Sequence, residues 1–526
     1  MEMRAVLRIA AGLLQKLVGL CLFLSCAGLC GVAAAANLDV GWNGGAGNWS
    51  DHTKWSSGVV PNNGAGNTFD VSIDGGNPVD SAVTLDMDAT ASKVTIDSGD
   101  QLSHINGAVL TVAGGPASDN GVWALNTTGA ATGISFYGGV TLSGSGSIVM
   151  NNALFLNNRI LTDNTVLTQT AGHTIRGSGQ LLANTGGMIN QGSVIADQPA
   201  GLWVDPNDLG LTNQGLLQAS SGAPLTLKAG TFTNTGGIIE ALDLSRVEVQ
   251  TGATVVGGDL RSNGTGVIAP QGGTLTNVTT SGTIQQDNAQ DVIITGGLTN
   301  NGLWRLSTSG SATDMRFNGG VTLSGSGSIV MNDALFLNNR ILTDNTVLTQ
   351  VAGHTIRGSG QLLANTGGMV NQGTIIADQP NGLVIDPNDL SVFSNAGTLQ
   401  VTGTSGITVN AGPFTTSGAV LIGPGTTLTR TGDYTQTAGT TTLDGGTLTA
   451  TGLVDIQGGA VSGTGTISGA VKNAGQVSPG LSAGVLNITG SYTQNIQRYT
   501  QHRDRRFGPG QRVRSTNHHG GCHTGR

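Results

Sequence analysis

The chain has 526 residues, of which 86 are Gly, 13 are Pro and only 10% are charged. A Gly content more than double the usual ~7%, without a Gly-X-Y period, excludes collagen, and abundant Val, Ile and Leu with low charge argue against a disordered chain. Residues 37–494 hold 13 basic and 29 acidic side chains. This acidic body argues against nucleic acid and anionic membranes as partners, because both are bound by clustered Lys and Arg.

Residues 1–36 have the pattern of an export signal peptide. Basic residues precede an apolar run from Leu17 to Val32, and the four Ala residues at 33–36 form a cleavage pattern. The alternative is an uncleaved membrane anchor, since the run is almost long enough to span a bilayer. All four Cys lie outside residues 37–494, which fits a bacterial exported body without disulfides, and no later apolar run is long enough to form a transmembrane span.

The body is predicted to be an array of short β-strands. Apolar and polar residues alternate at 93–97 and 447–451, which indicates strands with one buried face. A period of 20–25 residues without helix formers predicts an all-β fold, a right-handed parallel β-helix (β-solenoid) of roughly 20 coils and on the order of 100 Å long. An Asn-x-Gly motif recurs along it, and stacked coils are expected to align its Asn side chains in ladders that satisfy their own amides. The motif begins at Asn190, Asn213, Asn234, Asn300, Asn371, Asn395 and Asn473.

A large internal duplication dominates the body. Residues 139–199 and 320–380 align without gaps at an offset of 181, with 56 of 61 positions identical. This self-similarity is typical of repeat architectures, in which each unit buries the apolar face of its neighbour. The predicted divisions are N-terminal Trp-motif and capping coils at 37–118, solenoid repeat 1 at 119–299, solenoid repeat 2 at 300–430 and C-terminal coils at 431–494.

Residues 495–526 differ abruptly from the body. They contain seven Arg and four of the eight His, with no alternating pattern. Three interpretations stay open: a basic tail that binds acidic polymers or a metal through His518, His519 and His523, a disordered tail without a ligand, and a frameshift near Gln494 that replaces the natural continuation.

Three stretches resemble exported bacterial β-helix proteins of the autotransporter-passenger and filamentous-haemagglutinin-like class, including exported proteins with a C-terminal sorting signal. The first is the Trp-rich opening at 42–62, the second is the Asn-x-Gly coil motif, and the third runs from Tyr434-Thr435-Gln436 to Tyr492-Thr493-Gln494. The resemblance implies a β-helix fold, export to the outer cell surface of a Gram-negative bacterium, and an adhesin-like role. The chain lacks a recognisable β-barrel translocator or sorting helix, so a C-terminal anchor is expected to be missing.

Two duplicated motifs contain candidate catalytic groups. Asp205-Pro206-Asn207-Asp208 recurs at 386–389 and offers two carboxylates for glycoside hydrolysis, although an Asp-Pro turn with an Asx hydrogen bond explains it better. The His-x-x-Arg pairs are His173 with Arg176 and His354 with Arg357, and they suggest polysaccharide lyase chemistry. A surface pair on one coil is favoured for these residues, and Arg159 and Arg340 are interpreted in the same way.

The N-terminal region contains two further candidate sites. The acidic residues Asp70, Asp74, Asp80, Asp86 and Asp88 suggest a Ca²⁺ site, but solvated strand ends are favoured because no EF-hand loop or calcium nonapeptide is present. Three Trp residues within 42–55 could stack on sugars, but a hydrophobic plug over the first coil is favoured.

The sequence therefore predicts a secreted or cell-surface structural β-solenoid with an adhesin-like or matrix role. We assign no catalytic residue, no cofactor and no metal site, and we expect no enzymatic activity. The expected partners are surface glycans or host and matrix proteins. The alternative is a carbohydrate-active β-helix enzyme, either a polysaccharide lyase or a glycoside hydrolase.

Overall fold

The computed structural model describes residues 36–495, except 65, 74–75, 77, 153–156, 334–335 and 481–483. The predicted signal peptide up to residue 35 and the basic tail from residue 496 lie outside the described residues. The predicted divisions after residues 118, 299 and 430 stay predictions. Strand pairing continues across each of these positions, so the pairing marks no boundary there.

The described residues form one continuous all-β solenoid. A single sheet of 54 strands connects the coils, and every pairing between named strands is parallel. Away from the two ends of the rod, each strand pairs with its equivalents one coil before and one coil after it, so the backbone groups of a coil are satisfied by its neighbours. The predicted right-handed parallel β-helix of about 20 coils is confirmed.

The first coils comprise β1 (Ala36–Gly41), β2 (Ala46–Asn48), β3 (Asn67–Ile73), β4 (Ala82–Leu85), β5 (Ala89–Ala91), β6 (Lys93–Ile96), β7 (Gln101–His104), β8 (Val109–Ala113), β9 (Ala117–Asp119), β10 (Val122–Leu125), β11 (Thr132–Tyr137), β12 (Thr141–Ser143), β13 (Ser147–Met150), β14 (Asn158–Thr162), β15 (Val166–Gln169), β16 (Thr174–Gly177), β17 (Gly179–Leu181) and β18 (Gly187–Asn190).

The middle coils comprise β19 (Ser193–Ala196), β20 (Leu202–Val204), β21 (Leu211–Asn213), β22 (Leu216–Ala219), β23 (Pro224–Leu227), β24 (Gly230–Thr233), β25 (Ile238–Ala241), β26 (Arg246–Gln250), β27 (Ala253–Val256), β28 (Asp259–Ser262), β29 (Val267–Gln271), β30 (Thr274–Ser281), β31 (Thr283–Gln286), β32 (Asp291–Asn300), β33 (Leu303–Leu306), β34 (Thr313–Ser324), β35 (Ser328–Met331) and β36 (Asn339–Thr343).

The last coils comprise β37 (Val347–Gln350), β38 (Thr355–Gly358), β39 (Gly360–Leu362), β40 (Gly368–Asn371), β41 (Thr374–Ala377), β42 (Leu383–Ile385), β43 (Phe393–Asn395), β44 (Thr398–Val401), β45 (Gly406–Val409), β46 (Phe414–Thr416), β47 (Ala419–Ile422), β48 (Thr427–Arg430), β49 (Tyr434–Gln436), β50 (Thr440–Ile456), β51 (Ala460–Asn473), β52 (Gln476–Pro479), β53 (Leu486–Ile488) and β54 (Tyr492–Gln494). Two short 3-10 helices lie at His52–Lys54 and Phe336–Asn338.

The coils are three-sided. Face A contains β10, β13 and β16, face B contains β11, β14 and β17, and face C contains β12, β15 and β18. Following the pairing along the rod assigns each of the remaining strands, apart from five long ones, to one of these faces. The long strands β30, β32, β34, β50 and β51 run through a corner and contribute to more than one face.

The core is the interior of the coils, filled by alternate side chains. In β6, for example, Val94 and Ile96 are fully buried while Lys93 and Thr95 point outward. In β50, Leu448 and Ala450 are buried in the same way. Each fully buried Val, Ile or Leu contributes about 1.5–3 kcal/mol of hydrophobic stabilisation. The two alternating stretches predicted from the sequence are therefore strands with one buried face.

Three Trp rings form a plug beside the first coils, as predicted. Trp42, Trp49 and Trp55 are each at most 2% exposed, and Trp55 contacts the other two edge-on at centroid distances of 5.0 and 4.8 Å. Their Nε1–H groups donate to the carbonyl oxygens of Gly45, Pro61 and Trp49. Because the rings are buried, they offer no face on which a sugar could stack.

Five of the seven Asn-x-Gly motifs form the predicted ladders. Asn190 donates from Nδ2 to Oδ1 of Asn213 at 2.8 Å, and Asn213 donates to Oδ1 of Asn234 at 2.7 Å. Asn371 and Asn395 repeat this contact at 2.7 Å. These side chains have 0% exposure, so each Asn–Asn contact replaces a hydrogen bond to water that burial removes. The Oδ1 atoms of Asn190 and Asn371, each at the start of a ladder, have no hydrogen-bond partner among the described residues.

The duplicated segments lie on different faces of the rod. Strand β13 of the first copy belongs to face A, but its counterpart β35 pairs with β33 and β38 on face B. Likewise β14 lies on face B and its counterpart β36 on face C. The 181-residue offset therefore advances the chain by one face more than a whole number of coils, and the same exterior side chains point in two directions.

Candidate functional site

The Asp-Pro-Asn-Asp motif is a turn between faces, as favoured. Oδ1 of Asn207 accepts the amide of Leu209 at 3.0 Å, which is an Asx turn, and its Nδ2 donates to Oδ1 of Asn164 at 2.7 Å. Asp208 is exposed, while partial burial raises the pKa of Asp205 against the opposing effect of the Lys228 charge. The hydrogen bonds of Asn207 therefore give the motif a structural role as a turn.

The His-x-x-Arg motif is not the surface pair that the sequence suggested. His173 is inside the solenoid, where its Nε2 lies 3.1 Å from Oδ2 of Asp119, and both side chains have 0% exposure. Arg176 is outside and pairs with Asp197 at 2.8 Å. The prediction was wrong for His173 because this residue is two positions before buried Ile175 and shares its inward phase.

The second copy holds its His differently. Asn300 stands where the first copy has Asp119, and its Nδ2 donates to Nε2 of His354 at 3.1 Å. The amide orientation is fixed because Oδ1 of Asn300 accepts from Gly302 and Thr280. Nε2 of His354 must therefore accept, whereas Nε2 of His173 must donate to a carboxylate, so the two duplicated rings have opposite hydrogen-bonding roles at the same atom. Burial lowers the pKa of His354 to about 4.

Arg340 belongs to an ion-pair cluster on face C. Its Nε and Nη2 both donate to the carboxylate of Asp314 at 2.6 Å, and Nη2 of Arg316 approaches the same carboxylate at 2.8 Å. Gly133 occupies the position of Asp314 in the first copy. The first copy therefore has no carboxylate at the position that Asp314 occupies in this cluster.

The N-terminal acidic residues cap turns. Asp86 accepts from the amide and hydroxyl of Ser50 at 3.0 and 2.6 Å, and Asp88 accepts from the amide of Val109 at 2.9 Å. Asp74 lies outside the described residues. Across the ranges that the structure covers, no group of three His, Cys, Asp or Glu is placed to hold a metal ion.

The best candidate site is a polar trench on face B, which sequence reasoning missed. It is defined by Arg246 and Glu248 on β26, Gln271 on β29, and Asp287 and Gln290 in the turn after β31. Its cavity volume is about 720 Å³. It lies in the non-duplicated section between the two copies, so repetition could not have revealed it.

Ion pairs hold the trench walls in place. Nε of Arg246 lies 3.1 Å from Oε1 of Glu248, and its Nη2 also contacts Oδ2 of Asp287. The same Oδ2 atom accepts from Nε2 of Gln271 at 2.6 Å. The side chains of Arg246, Glu248 and Asp287 are 27%, 26% and 42% exposed, so the groups are fixed and still open to solvent.

An aromatic residue lies at one end of the trench. Nζ of Lys228 donates to Oε1 of Gln250 at 3.2 Å and lies 4.6 Å from the ring centroid of partly exposed Trp203. This cation–π contact links the ring to Gln250, whose Nε2 donates to Glu248 at 3.5 Å. Charged, amide and aromatic side chains therefore follow one another along the rod.

The trench combines charged and amide side chains on neighbouring coils. It has hydrogen-bond donors and acceptors in alternation. No known family model matches the chain, and no curated protein matches its sequence. Among residues 36–495 as described, no helix has the length and apolar character needed to cross a membrane.

Proposed function

We propose that the protein is a secreted or cell-surface structural β-solenoid of a Gram-negative bacterium, with an adhesin-like or matrix role. The observation that supports this is the rod of about 20 coils, which displays duplicated exterior side chains on different faces. Such a rod acts passively: it holds several weak contact patches at fixed spacing, which raises avidity without any new contact. The residues quoted above for the autotransporter-passenger and haemagglutinin-like class support export.

The placement of the two duplicated segments on different faces of the rod refines the proposed role. Two identical patches on one face would favour binding to a single flat surface. Patches on adjacent faces favour binding to two separate partners, which the rod would then bridge. We therefore propose that the rod connects surface glycans or matrix proteins rather than lying flat on one of them.

The carbohydrate-active alternative has less support. Arg176 lies outside the coil and His173 inside it, so the residues that suggested lyase chemistry do not converge. Asp205 and Asp208 are parts of a turn whose Asn207 makes the structural hydrogen bonds.

Export and adhesion are tested on the full chain expressed with its own N-terminus. We expect externally added protease to reach the protein on intact cells, and cells that display it to aggregate or adhere more strongly than cells without it. Retention in the cytoplasm, or turnover of pectate, alginate or other glycans by the purified chain, contradicts the proposal.

A further inference from the structure

We propose that the polar trench formed by Arg246, Glu248, Gln271, Asp287 and Gln290 binds a neutral oligosaccharide along the axis of the rod. This inference rests on the proposed adhesive function and gives it a site and a ligand class. The two body Glu residues, Glu240 and Glu248, both lie in this part of the chain. On an exterior dominated by Thr, Ser and Asn, such a concentration of charged and amide side chains is unusual.

The trench retains free hydrogen-bonding capacity. Oδ2 of Asp287 accepts from both Arg246 and Gln271, while Oδ1 has no hydrogen-bond partner within the described part of the chain. The side-chain amide of Gln290 also makes no hydrogen bond to any described residue, although it lines the trench. The trench therefore offers acceptors and donors that converge on one place and still lack partners. Vicinal hydroxyl groups of a sugar match them, because each hydroxyl can both donate and accept a hydrogen bond.

Charge favours a neutral ligand. Arg246 and Lys228 balance Glu248 and Asp287, so the trench and its aromatic end carry no net charge. A polyanion such as a nucleic acid requires a net positive groove. A metal ion is disfavoured too, because both carboxylates pair with Arg246 and no third His, Cys, Asp or Glu joins them among the residues described.

Geometry favours a glycan over a peptide. Every residue that lines the trench is polar or charged, so no apolar side chain lines a pocket for the anchor side chains that peptides use. Gln250 and Gln271 are in register on adjacent coils, about 4.8 Å apart in a parallel sheet. A pyranose ring has a similar dimension, so an extended oligosaccharide would place one ring on each coil and meet one set of polar groups at each step.

The direct test is calorimetric titration of the full chain with neutral hexasaccharides of β-1,4-glucan, β-1,4-mannan and β-1,4-xylan, and with hexagalacturonate as the acidic probe. We expect one of the neutral ligands to bind, and the double variant Gln271→Ala/Gln290→Ala to weaken its Kd about tenfold. The matched control is Gln191→Ala/Gln214→Ala, a pair on adjacent coils whose exposed side chains are joined at 3.1 Å outside the trench. Circular dichroism spectra of both variants are compared with that of the wild type to check that they fold.

The trench proposal fails if no neutral hexasaccharide binds, if hexagalacturonate binds more tightly, or if the control weakens binding as much as the trench variant. Adhesion of wild-type and trench-variant chains to beads coated with glycan or with matrix protein separates this failure from that of the adhesive role. Equal adhesion of both chains overturns the trench alone, and no adhesion of either chain overturns the proposed function as well.

Discussion

The two copies of the buried His provide a sharp test of how burial and hydrogen bonding control acid stability. Burial lowers the pKa of His354 to about 4, whereas an exposed His in an opened coil titrates near 6.5. Above pH 6.5 both forms are neutral, and as the pH falls the opened coil takes up the proton first. The free energy of opening the coil that contains His354 therefore falls between pH ~6.5 and ~4. The loss is about 2 kcal/mol at pH 5 and about 3 kcal/mol at pH 4.

Asn300→Asp is the perturbation that should abolish this dependence. It gives His354 a carboxylate at the position where Asp119 faces His173, so the protonated ring gains a partner inside the solenoid. We expect a lower absolute stability at pH 7.5, because the amide hydrogen bond to the carbonyl oxygen of Ser328 is lost, but a much flatter fall towards pH 5.

Hydrogen exchange read by mass spectrometry measures this locally, since a solenoid opens coil by coil rather than as one unit. The peptide that contains His354 is compared between pH 7.5 and pH 5 after correction for intrinsic exchange rates. Its counterpart around His173 differs in mass, because Thr170 aligns with Val351, and serves as a control within the same molecule. Asp119→Asn is the reciprocal variant, which replaces the carboxylate that faces His173 with an amide. If the Asn300→Asp variant shows the same loss of exchange protection between pH 7.5 and pH 5 in the peptide that contains His354, the reasoning is refuted.

Three further substitutions test the fold. Asn213→Ala leaves Asn190 without its buried acceptor and should cost about 1–3 kcal/mol in urea unfolding; a neutral effect contradicts the ladder. Gly258→Ala should destabilise far more than Gly222→Ala, because both have positive φ but a Cβ at 258 meets the carbonyl oxygen of Asn234 at 1.9 Å and one at 222 meets nothing; equal losses exclude close coil approach as the cause. Trp55→Ala should lower stability by about 3–5 kcal/mol, measured by thermal unfolding, and an unchanged melting curve rejects the plug.

The local pattern of the chain determined the elements. Alternation at Val94 and Ile96 fixed which side chains point inward, because successive residues of a strand point to opposite sides whatever surrounds it. The Asn-x-Gly motif predicted ladders in a similar way, since it recurs once per coil in this section and its Asn residues come into register on neighbouring coils. His173 could have been placed inside by the same rule, as it shares the phase of Ile175.

Only the tertiary structure decided which residues meet across coils. Asp119 and His173 are 54 positions apart, and Arg246 and Asp287 are 41 apart, so neither the buried pair nor the trench is visible in a local window. The length of each coil varies with its turns, and a change of a few residues decides which strand stacks on which. The duplicated segments show this most clearly: their sequences are almost identical, yet the accumulated length between them places the two copies on different faces of the rod.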